Sequence, residues 1–187
     1  MSQTQANSLT RHLLILDIDE SLVHSADNPL DPNFDFRLSS YQVVKRPFLD
    51  EFMVNIFRWF NIALWTAATE DYAQEMVQRI IPNSHQLKFM WSRQRCTLKR
   101  DCDKDDYYWI KDLKKVKRLG YNLDMVLVIE DEPRSMQRSY GNIIIIRPFD
   151  GDPRDEELQI LTQYLEWIRK VENVREIEKR NWRNFVK

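Results

Sequence analysis

Two pairs of acidic residues, each at the end of an apolar run, have the side chains and spacing that a catalytic centre needs. Asp17 and Asp19 come directly after the apolar residues 13–16, and Glu130 and Asp131 follow a second apolar run. A buried strand that delivers carboxylates to one edge of a sheet is costly unless an opposite charge compensates them. Several carboxylates at one edge therefore indicate a hard divalent cation. Mg²⁺ fits best because it prefers oxygen ligands in octahedral geometry.

The spacing of Asp17 and Asp19 allows the two carboxyl groups to play different roles. If the chain bends after the strand, one carboxylate can face a phosphorus atom while the other faces its leaving oxygen. The first can act as a nucleophile by forming an aspartyl-phosphate, and the second can act as general acid and base. Ser21 and Thr66 offer hydroxyls for phosphate oxygens, and Lys111 can neutralise the transferring phosphoryl group.

Each of these residues also has a plain structural interpretation. An Asp-x-Asp sequence is common on protein surfaces, and Lys111 alone is compatible with a solvated surface lysine. Thr66 and Asp131 are each suited to capping a helix. The functional interpretation is favoured because all of these residues fall at predicted strand ends or helix starts of one sheet.

Four apolar runs predict the strands that must position these residues. They lie at residues 13–16, 62–65, 125–129 and 143–146. Apolar runs without alternation are typical of strands that are buried on both faces, as in a parallel sheet covered by helices. Residues 41–45 are predicted to form a further short strand.

Apolar residues at helical spacing predict helices between the strands. One is expected to open at Pro47, another after Thr69 and the last from Asp152. Strands that alternate with helices indicate a single Rossmann-like α/β domain with a doubly wound, mostly parallel sheet. The segments predicted to be irregular are 25–40 and 93–106.

The composition limits the classes of function. The 28 Lys and Arg residues are balanced by 29 Asp and Glu, so a globally basic nucleic-acid-binding surface is not expected. Only three glycines are present, which argues against a glycine-rich phosphate loop. No apolar stretch reaches the length of a membrane span, and residues 1–10 lack the apolar core of a signal peptide. Cys96 and Cys102 have neither a metal-pair nor a redox spacing, so reduced thiols in the cytoplasm or nucleus are expected.

The sequence LDIDESLVHS, residues 16–25, opens a series of motifs along the chain. The later ones are VKRP at 44–47, WTAA at 65–68, RQRC at 93–96, KDL at 111–113 and VIEDEP at 128–133. In this order they resemble the phosphatases that act on the carboxy-terminal domain of RNA polymerase II, together with their NLI-interacting-factor-like relatives in the haloacid dehalogenase superfamily. The first motif has Ile18 and Ser21 where the usual form has Leu and Thr. An ordered set of motifs is far more specific than any one of them.

This resemblance implies a haloacid dehalogenase fold, a bound Mg²⁺ and hydrolysis of phosphoserine or phosphothreonine in a protein or peptide substrate. By position, Asp17 would be the nucleophile and Asp19 the general acid and base, while Lys111 would stabilise the phosphoryl group. The residues that would bind the phosphate are Ser21, Thr66 and Arg93.

The resemblance also implies a metal site at the ends of two strands. Its ligands would be Asp17, Asp131 and the backbone carbonyl of Asp19, and Glu130 would hold a metal-bound water. Glu130 stands where the family usually has Asp, a change that is not expected to abolish activity. The segment 25–41 is shorter than in the animal polymerase phosphatases, so the polymerase tail itself is not inferred as the substrate.

The sequence predicts a chain of three parts. Residues 1–10 are expected to be a flexible tail, 11–174 the phosphatase domain, and 175–187 a charged, helical C-terminal extension. The sequence leaves the oligomeric state open. It also leaves open whether Trp182 in the extension docks on the domain or binds a partner.

Two other functions remain open. A non-catalytic, phosphopeptide- or protein-binding module of the same fold is disfavoured because both Asp17 and Asp19 are present. A phosphatase for nucleic-acid ends or small metabolites would draw on the basic residues at 99–100 and 114–118. The aspartates within 101–106 favour a solvated, charge-balanced surface there instead.

Overall fold

The helices and strands are known for most of the chain, because the computed structural model describes residues 11–27, 34–102 and 105–186. The predicted flexible tail at 1–10 lies outside these residues. The strands are β1 Leu13–Leu16, β2 Val23–Ala26, β3 Phe36–Leu38, β4 Tyr41–Lys45, β5 Asn61–Trp65, β6 Met90–Trp91, β7 Thr97–Asp101, β8 Asp106–Ile110, β9 Val126–Glu130 and β10 Ile143–Ile145. The helices are α1 Leu49–Trp59, α2 Glu70–Ile80, α3 Lys114–Arg118 and α4 Glu157–Ile168.

Five parallel strands form the central sheet, in the order β10-β9-β1-β5-β6. The middle strand is β1, where Leu14 pairs with Ile62 of β5 on one side and with Leu127 of β9 on the other. All four apolar runs are strands of this sheet, which confirms the predicted α/β class and mostly parallel sheet. The edge strand β6 was not predicted, since two residues are too few to show a pattern.

Residues 13–16, 62–65 and 126–129 of the three central strands are apolar at every position because helices cover both faces of the sheet. Successive strand residues point to opposite faces. Leu14 and Leu16 pack in a core with residues of α1, α2 and α4, whereas Leu13 and Ile15 pack in a second core that includes Val116 of α3. Burial on both sides therefore removes the polar alternation that a half-exposed strand would show.

The helices α1 and α2 follow Pro47 and Thr69 as predicted, but α4 begins later than expected, at Glu157. Asp155 accepts the backbone N–H of Glu157 at 2.9 Å, and its two oxygens also accept from the Arg46 guanidinium, each at 2.8 Å. A carboxylate that bonds a free N–H at a helix start stabilises that start. Asp155, rather than Asp152, therefore fixes the beginning of α4.

Two small antiparallel sheets flank the central one. The strands β2, β4 and β3 form the first, with β4 at the predicted position, and β7 pairs with β8 in the second. The prediction of irregular structure at 25–40 and 93–106 was therefore wrong for the residues in these strands. Most of β7 is solvent-exposed on both faces, so its sequence has no apolar alternation to mark it as a strand.

The C-terminal residues fold back onto α4. Trp182 is buried, its ring centroid lies 5.7 Å from that of Tyr164, and its indole N–H donates to the Ile145 carbonyl at 2.8 Å. Short 3-10 helices occur at Val174–Glu176 and Trp182–Val186. The division of the chain at residue 174 remains a prediction. Among the residues that the structure describes, no helix is both long and apolar enough to cross a membrane.

Candidate active site

Three carboxylates converge at the carboxyl edge of the central sheet. Asp17 follows β1, Glu130 is the last residue of the neighbouring β9, and Asp131 comes next in the chain. Oxygen atoms of all three lie within 4.8 Å of one another. The backbone N–H of Asp17 donates to the Ile129 carbonyl at 3.1 Å, which extends the strand pairing to the cluster itself. Parallel pairing of β1 with β9 thus produces the acidic cluster predicted from the sequence.

Lys111 supplies a buried positive charge to this cluster. It follows β8, its side chain is 2% exposed, and its backbone N–H donates to the Ser135 carbonyl at 2.8 Å. The ammonium donates to Asp17 Oδ1 at 2.6 Å and to Glu130 Oε2 at 2.7 Å. Burial would lower the pKa of Lys111, but the two carboxylates outweigh burial and raise that pKa. Lys111 is therefore a permanent cation here and not a solvated surface lysine.

The cluster still contains more negative charge than Lys111 neutralises. Burial, reinforced by the charge of Glu130, raises the pKa of Asp17 well above its usual range. Burial and the same glutamate raise the pKa of Asp131 to about 6. Three carboxylates beside one ammonium leave two negative charges when all are ionised. Hard oxygen ligands with uncompensated negative charge fit a divalent cation.

Ser21 is oriented toward this acidic cluster. Its buried hydroxyl donates to Asp131 Oδ1 at 3.0 Å. Serine in place of threonine therefore keeps the hydroxyl that holds this carboxylate. Asp131 does not cap the following short helix, because Glu132 accepts the backbone N–H of Arg134 at 3.0 Å in that role.

A tight turn after β1 directs Asp17 and Asp19 toward different partners. The carbonyl of Ile18 accepts the N–H of Leu22 at 2.8 Å, and Glu20 has a φ of 53°. This left-handed conformation is uncommon for a residue with a side chain, and it allows the chain to reverse within a few residues. The carboxylate of Asp19 is consequently not part of the three-carboxylate cluster.

Asp19 is held by two hydroxyl groups. Tyr72, in the first turn of α2, donates to its Oδ1 at 2.6 Å, and Thr66, directly after β5, donates to its Oδ2 at 3.4 Å. The Thr66 hydroxyl also accepts the N–H of Ala68 at 3.0 Å, so it stabilises the turn rather than capping α2. Burial and the charge of Asp19 raise the pKa of Tyr72, so its phenol stays protonated as a donor.

Asp17, Asp19, Thr66 and Arg93 line one open cavity of about 730 Å³. The exposed Arg93 donates from Nε to the Ala67 carbonyl at 2.6 Å, and its guanidinium lies 5.5 Å from the centre of the Trp109 ring. The other predicted site residues belong to the hydrogen-bonded cluster around Asp17; they are Ser21, Lys111, Glu130 and Asp131. The structure thus brings every predicted site residue to one place, while their roles remain predictions.

Sequence reasoning assigned no role to Tyr72 and Ser25, which also belong to this site. The hydroxyl oxygens of Tyr72 and Ser25 lie 2.8 Å apart, and both residues line the cavity. Tyr72 lies six residues after Thr66, in the helix that follows β5. Its closeness in sequence to a predicted site residue could have indicated that it belongs to the site. Ser25 gave none, because its contact depends on how the small antiparallel sheet folds over α2.

The sequence profile of the NLI interacting factor-like phosphatases matches residues 12–175. The chain belongs to this family. CTD small phosphatase-like protein 2 of Dictyostelium discoideum is 34% identical over 169 residues, covering 87% of the chain and 28% of that protein. CTD nuclear envelope phosphatase 1B of Danio rerio is 30% identical over 196 residues, covering 97% of the chain and 76% of that protein. The family resemblance inferred from the motifs is confirmed.

The solved structure of Fcp1, an essential RNA polymerase II CTD phosphatase, has the same fold. It superimposes with a TM-score of 0.66 at 19% identity, covering 87% of the chain and 63% of that structure. This similarity confirms the predicted haloacid dehalogenase fold. The chain spans less than two thirds of the Dictyostelium relative and of the Fcp1 structure. Family membership therefore does not by itself transfer the substrates and partners of those longer proteins to this chain.

Proposed function

We propose that the chain is a Mg²⁺-dependent phosphatase that hydrolyses phosphoserine or phosphothreonine in proteins through an aspartyl-phosphate at Asp17. The observation that carries this proposal is the pair of carboxylates on one cavity with contrasting partners. Asp17 contacts the Lys111 ammonium, whereas Asp19 is held by the hydroxyls of Tyr72 and Thr66. Two carboxyl groups in different environments suit a nucleophile and a general acid-base.

In the first step, a carboxylate oxygen of Asp17 forms a bond to the substrate phosphorus. The bond from phosphorus to the serine or threonine oxygen breaks, and that oxygen takes the proton of the Asp19 carboxyl group. The products are the free hydroxyl and an aspartyl-phosphate at Asp17. Lys111, 2.6 Å from Asp17, stabilises the negative charge that gathers around the transferring group.

In the second step, the Asp19 carboxylate takes a proton from water as the water oxygen bonds to phosphorus. The bond from phosphorus to the Asp17 oxygen breaks, which releases inorganic phosphate and restores both carboxyl groups. Thr66 and Arg93 line the cavity beside these carboxylates and can hold phosphate oxygens by hydrogen bonds. The same acid and base thus serve both steps, as covalent catalysis by a carboxylate requires.

Mg²⁺ would be held by Asp17, Asp131 and the backbone carbonyl of Asp19, with Glu130 close by. When bound, it would supply positive charge for the phosphoryl oxygens and hold the nucleophile in place. The excess negative charge of the cluster supports a divalent cation. Mg²⁺ is proposed over other divalent ions because phosphate oxygens and water can complete its octahedral shell.

A phosphorylated protein segment is the proposed substrate. The cavity is open, and the aromatic side chains of Tyr41, Tyr72 and Trp109 line it beside the carboxylates. Such walls suit the apolar parts of a peptide. The relatives are named for phosphatase activity toward the CTD or at the nuclear envelope, which supports a protein substrate and a cytoplasmic or nuclear location. The polymerase tail itself is not proposed.

The test is phosphate release from phosphoserine and phosphothreonine peptides by wild type, Asp17→Asn and Glu51→Gln, with Mg²⁺ or EDTA. Glu51 is an exposed carboxylate on α1 and serves as the matched control. The proposal predicts Mg²⁺-dependent release by wild type and Glu51→Gln, and none by Asp17→Asn. Peptide binding without turnover in any metal would show a binding module instead.

A further inference from the structure

The hydroxyl of Tyr72 makes the shortest contact to Asp19 in the site. It donates to Asp19 Oδ1 at 2.6 Å, and the Ser25 hydroxyl lies 2.8 Å from the Tyr72 oxygen on the other side. From this chain of hydrogen bonds we infer that Tyr72 is a positioning residue, which aims the acid-base carboxyl group of Asp19 at the leaving oxygen of the substrate. This inference rests on the proposed phosphatase activity.

Tyr72 is fixed by elements on both sides of the cavity. Its backbone belongs to α2, which follows the Thr66 strand end. Its ring meets the Tyr41 ring edge-on, with centroids 5.9 Å apart, and its hydroxyl meets Ser25 of β2. Tyr41 and Ser25 both belong to the antiparallel sheet of β2, β4 and β3. This small sheet therefore holds Tyr72, and Tyr72 in turn holds Asp19.

The number of protons that each group can donate decides the direction of the hydrogen bonds between Ser25, Tyr72 and Asp19. A phenol has one proton to donate, and an ionised carboxylate only accepts. When Asp19 is ionised, the Tyr72 proton goes to Oδ1, so the Ser25 hydroxyl must donate to the Tyr72 oxygen. Tyr72 donates to Oδ1 at 2.6 Å, whereas Thr66 donates to Oδ2 at 3.4 Å. The more weakly bonded Oδ2 is therefore the oxygen that carries the transferable proton.

Fixing the proton on one oxygen matters for the chemistry. In the first step Oδ2 gives its proton to the leaving oxygen as the bond from phosphorus to that oxygen breaks. In the second step Oδ2 takes a proton from the water that attacks the aspartyl-phosphate. Tyr72 takes part in neither transfer. It sets the rotamer of Asp19 and selects the oxygen that faces the substrate, which is the geometric demand of general acid-base catalysis.

The test is whether the loss of activity in Tyr72→Phe depends on the leaving group of the substrate. Phenylalanine keeps the ring contact with Tyr41 and removes only the hydroxyl. A serine oxygen needs a proton to leave, whereas p-nitrophenolate leaves without one. On a phosphoserine peptide we expect kcat to fall by about 10–100-fold, with KM changed by less than about twofold, since general acid-base catalysis contributes about 10²–10⁴-fold. On p-nitrophenyl phosphate, the rate constant for forming the aspartyl-phosphate is read from the burst of p-nitrophenol. It should fall by much less.

Two further variants complete the design. Tyr140→Phe removes the hydroxyl of an exposed tyrosine that does not line the cavity, and it should leave turnover of both substrates unaffected. Ser25→Ala removes the hydroxyl that donates to the Tyr72 oxygen. Its activity should depend on the leaving group as that of Tyr72→Phe does, with a smaller loss of kcat. If Tyr72→Phe does not fold, as judged by its urea-unfolding midpoint, Ser25→Ala carries the test.

Equal losses on both leaving groups, or a raised KM with unchanged kcat, would overturn the inference while leaving the phosphatase activity intact. A wild type that is silent on both substrates in every metal would overturn the proposed function instead, and this inference with it. A loss confined to the phosphoserine peptide, without a matching change in KM, would support it.

Discussion

Replacing Lys111 by methionine tests the charge balance of the acidic cluster. Methionine has a similar volume but no ammonium, so Asp17 and Glu130 each lose a buried contact, at 2.6 and 2.7 Å respectively. Removing one partner of a buried ion pair leaves uncompensated charge and typically costs about 3–5 kcal/mol. For a domain of this size, that loss corresponds to a fall in Tm of about 6–20 °C.

A divalent cation should compensate part of this loss. Without Lys111 the three ionised carboxylates carry one more uncompensated negative charge, so the attraction for a cation at the cluster increases. A ligand that binds only the folded state stabilises it by mass action. We therefore expect Mg²⁺ to raise the Tm of Lys111→Met by more than it raises that of wild type.

The assay is thermal unfolding at neutral pH, in EDTA and in excess Mg²⁺, of wild type, Lys111→Met and Lys117→Met. Lys117 is an exposed lysine on the adjacent helix α3, so its variant should behave as wild type in both conditions. A wild-type Tm for Lys111→Met in EDTA would refute the buried-cation argument. An equal or smaller Mg²⁺ shift in this variant would refute the placement of the metal beside Lys111.

Three other predictions follow from single features of the structure. Arg46→Met should lower the free energy of unfolding by about 3–5 kcal/mol, measured in urea, because the buried guanidinium bonds Asp155 and the Ser21 carbonyl. An unchanged urea midpoint would contradict this. In EDTA, the free energy of unfolding should fall as pH rises from about 4 to 6, because the raised pKa of Asp131 makes the folded state bind more protons than the unfolded state in that range. A rise in this free energy, measured by urea titration, would contradict the prediction. Asp19→Asn should lose phosphopeptide turnover but keep the Mg²⁺-dependent Tm shift, since its carboxylate lies outside the three-carboxylate cluster; loss of both would assign Asp19 to metal binding through its side chain.

The central sheet was predictable because its strands are buried on both faces. Runs such as residues 13–16 and 126–129 are apolar at every position, and each ends at a carboxylate or a hydroxyl. The hairpin of β7 and β8 was not predictable in the same way. Both faces of this hairpin contact solvent, so charged residues can occupy either face. Thr97–Asp101 therefore has the composition of a loop. The start of α4 depended on a tertiary contact, the pairing of Asp155 with Arg46, which no local pattern contains.

The site, like the fold, has parts that the sequence predicts and parts that it does not. Asp17, Glu130 and Thr66 were predictable because they directly follow or end buried strands, and parallel strands bring their carboxyl ends together. Asp19 was predictable from its spacing after Asp17. Lys111 was proposed as the cation for the phosphoryl group, but none of the predicted strands positioned it, since it follows β8, a strand outside the central sheet. The hydrogen bonds that distinguish Asp17 from Asp19 depend on the turn at residue 20 and on the packing of α2. Those are properties of the folded chain and not of sequence spacing.

The most direct test of the proposed mechanism is the covalent phosphate on Asp17. Asp19→Asn should still be phosphorylated by p-nitrophenyl phosphate, whose leaving group needs no proton, but should hydrolyse the intermediate slowly because the base is absent. After incubation with Mg²⁺ and acid quenching, mass spectrometry of the peptide that contains Asp17 would reveal the bound phosphate. We predict phosphate on Asp17 in this variant, and none in EDTA or in the Asp17→Asn, Asp19→Asn double variant. An active wild type without a phosphorylated Asp17, or with the phosphate on another residue, would contradict the mechanism.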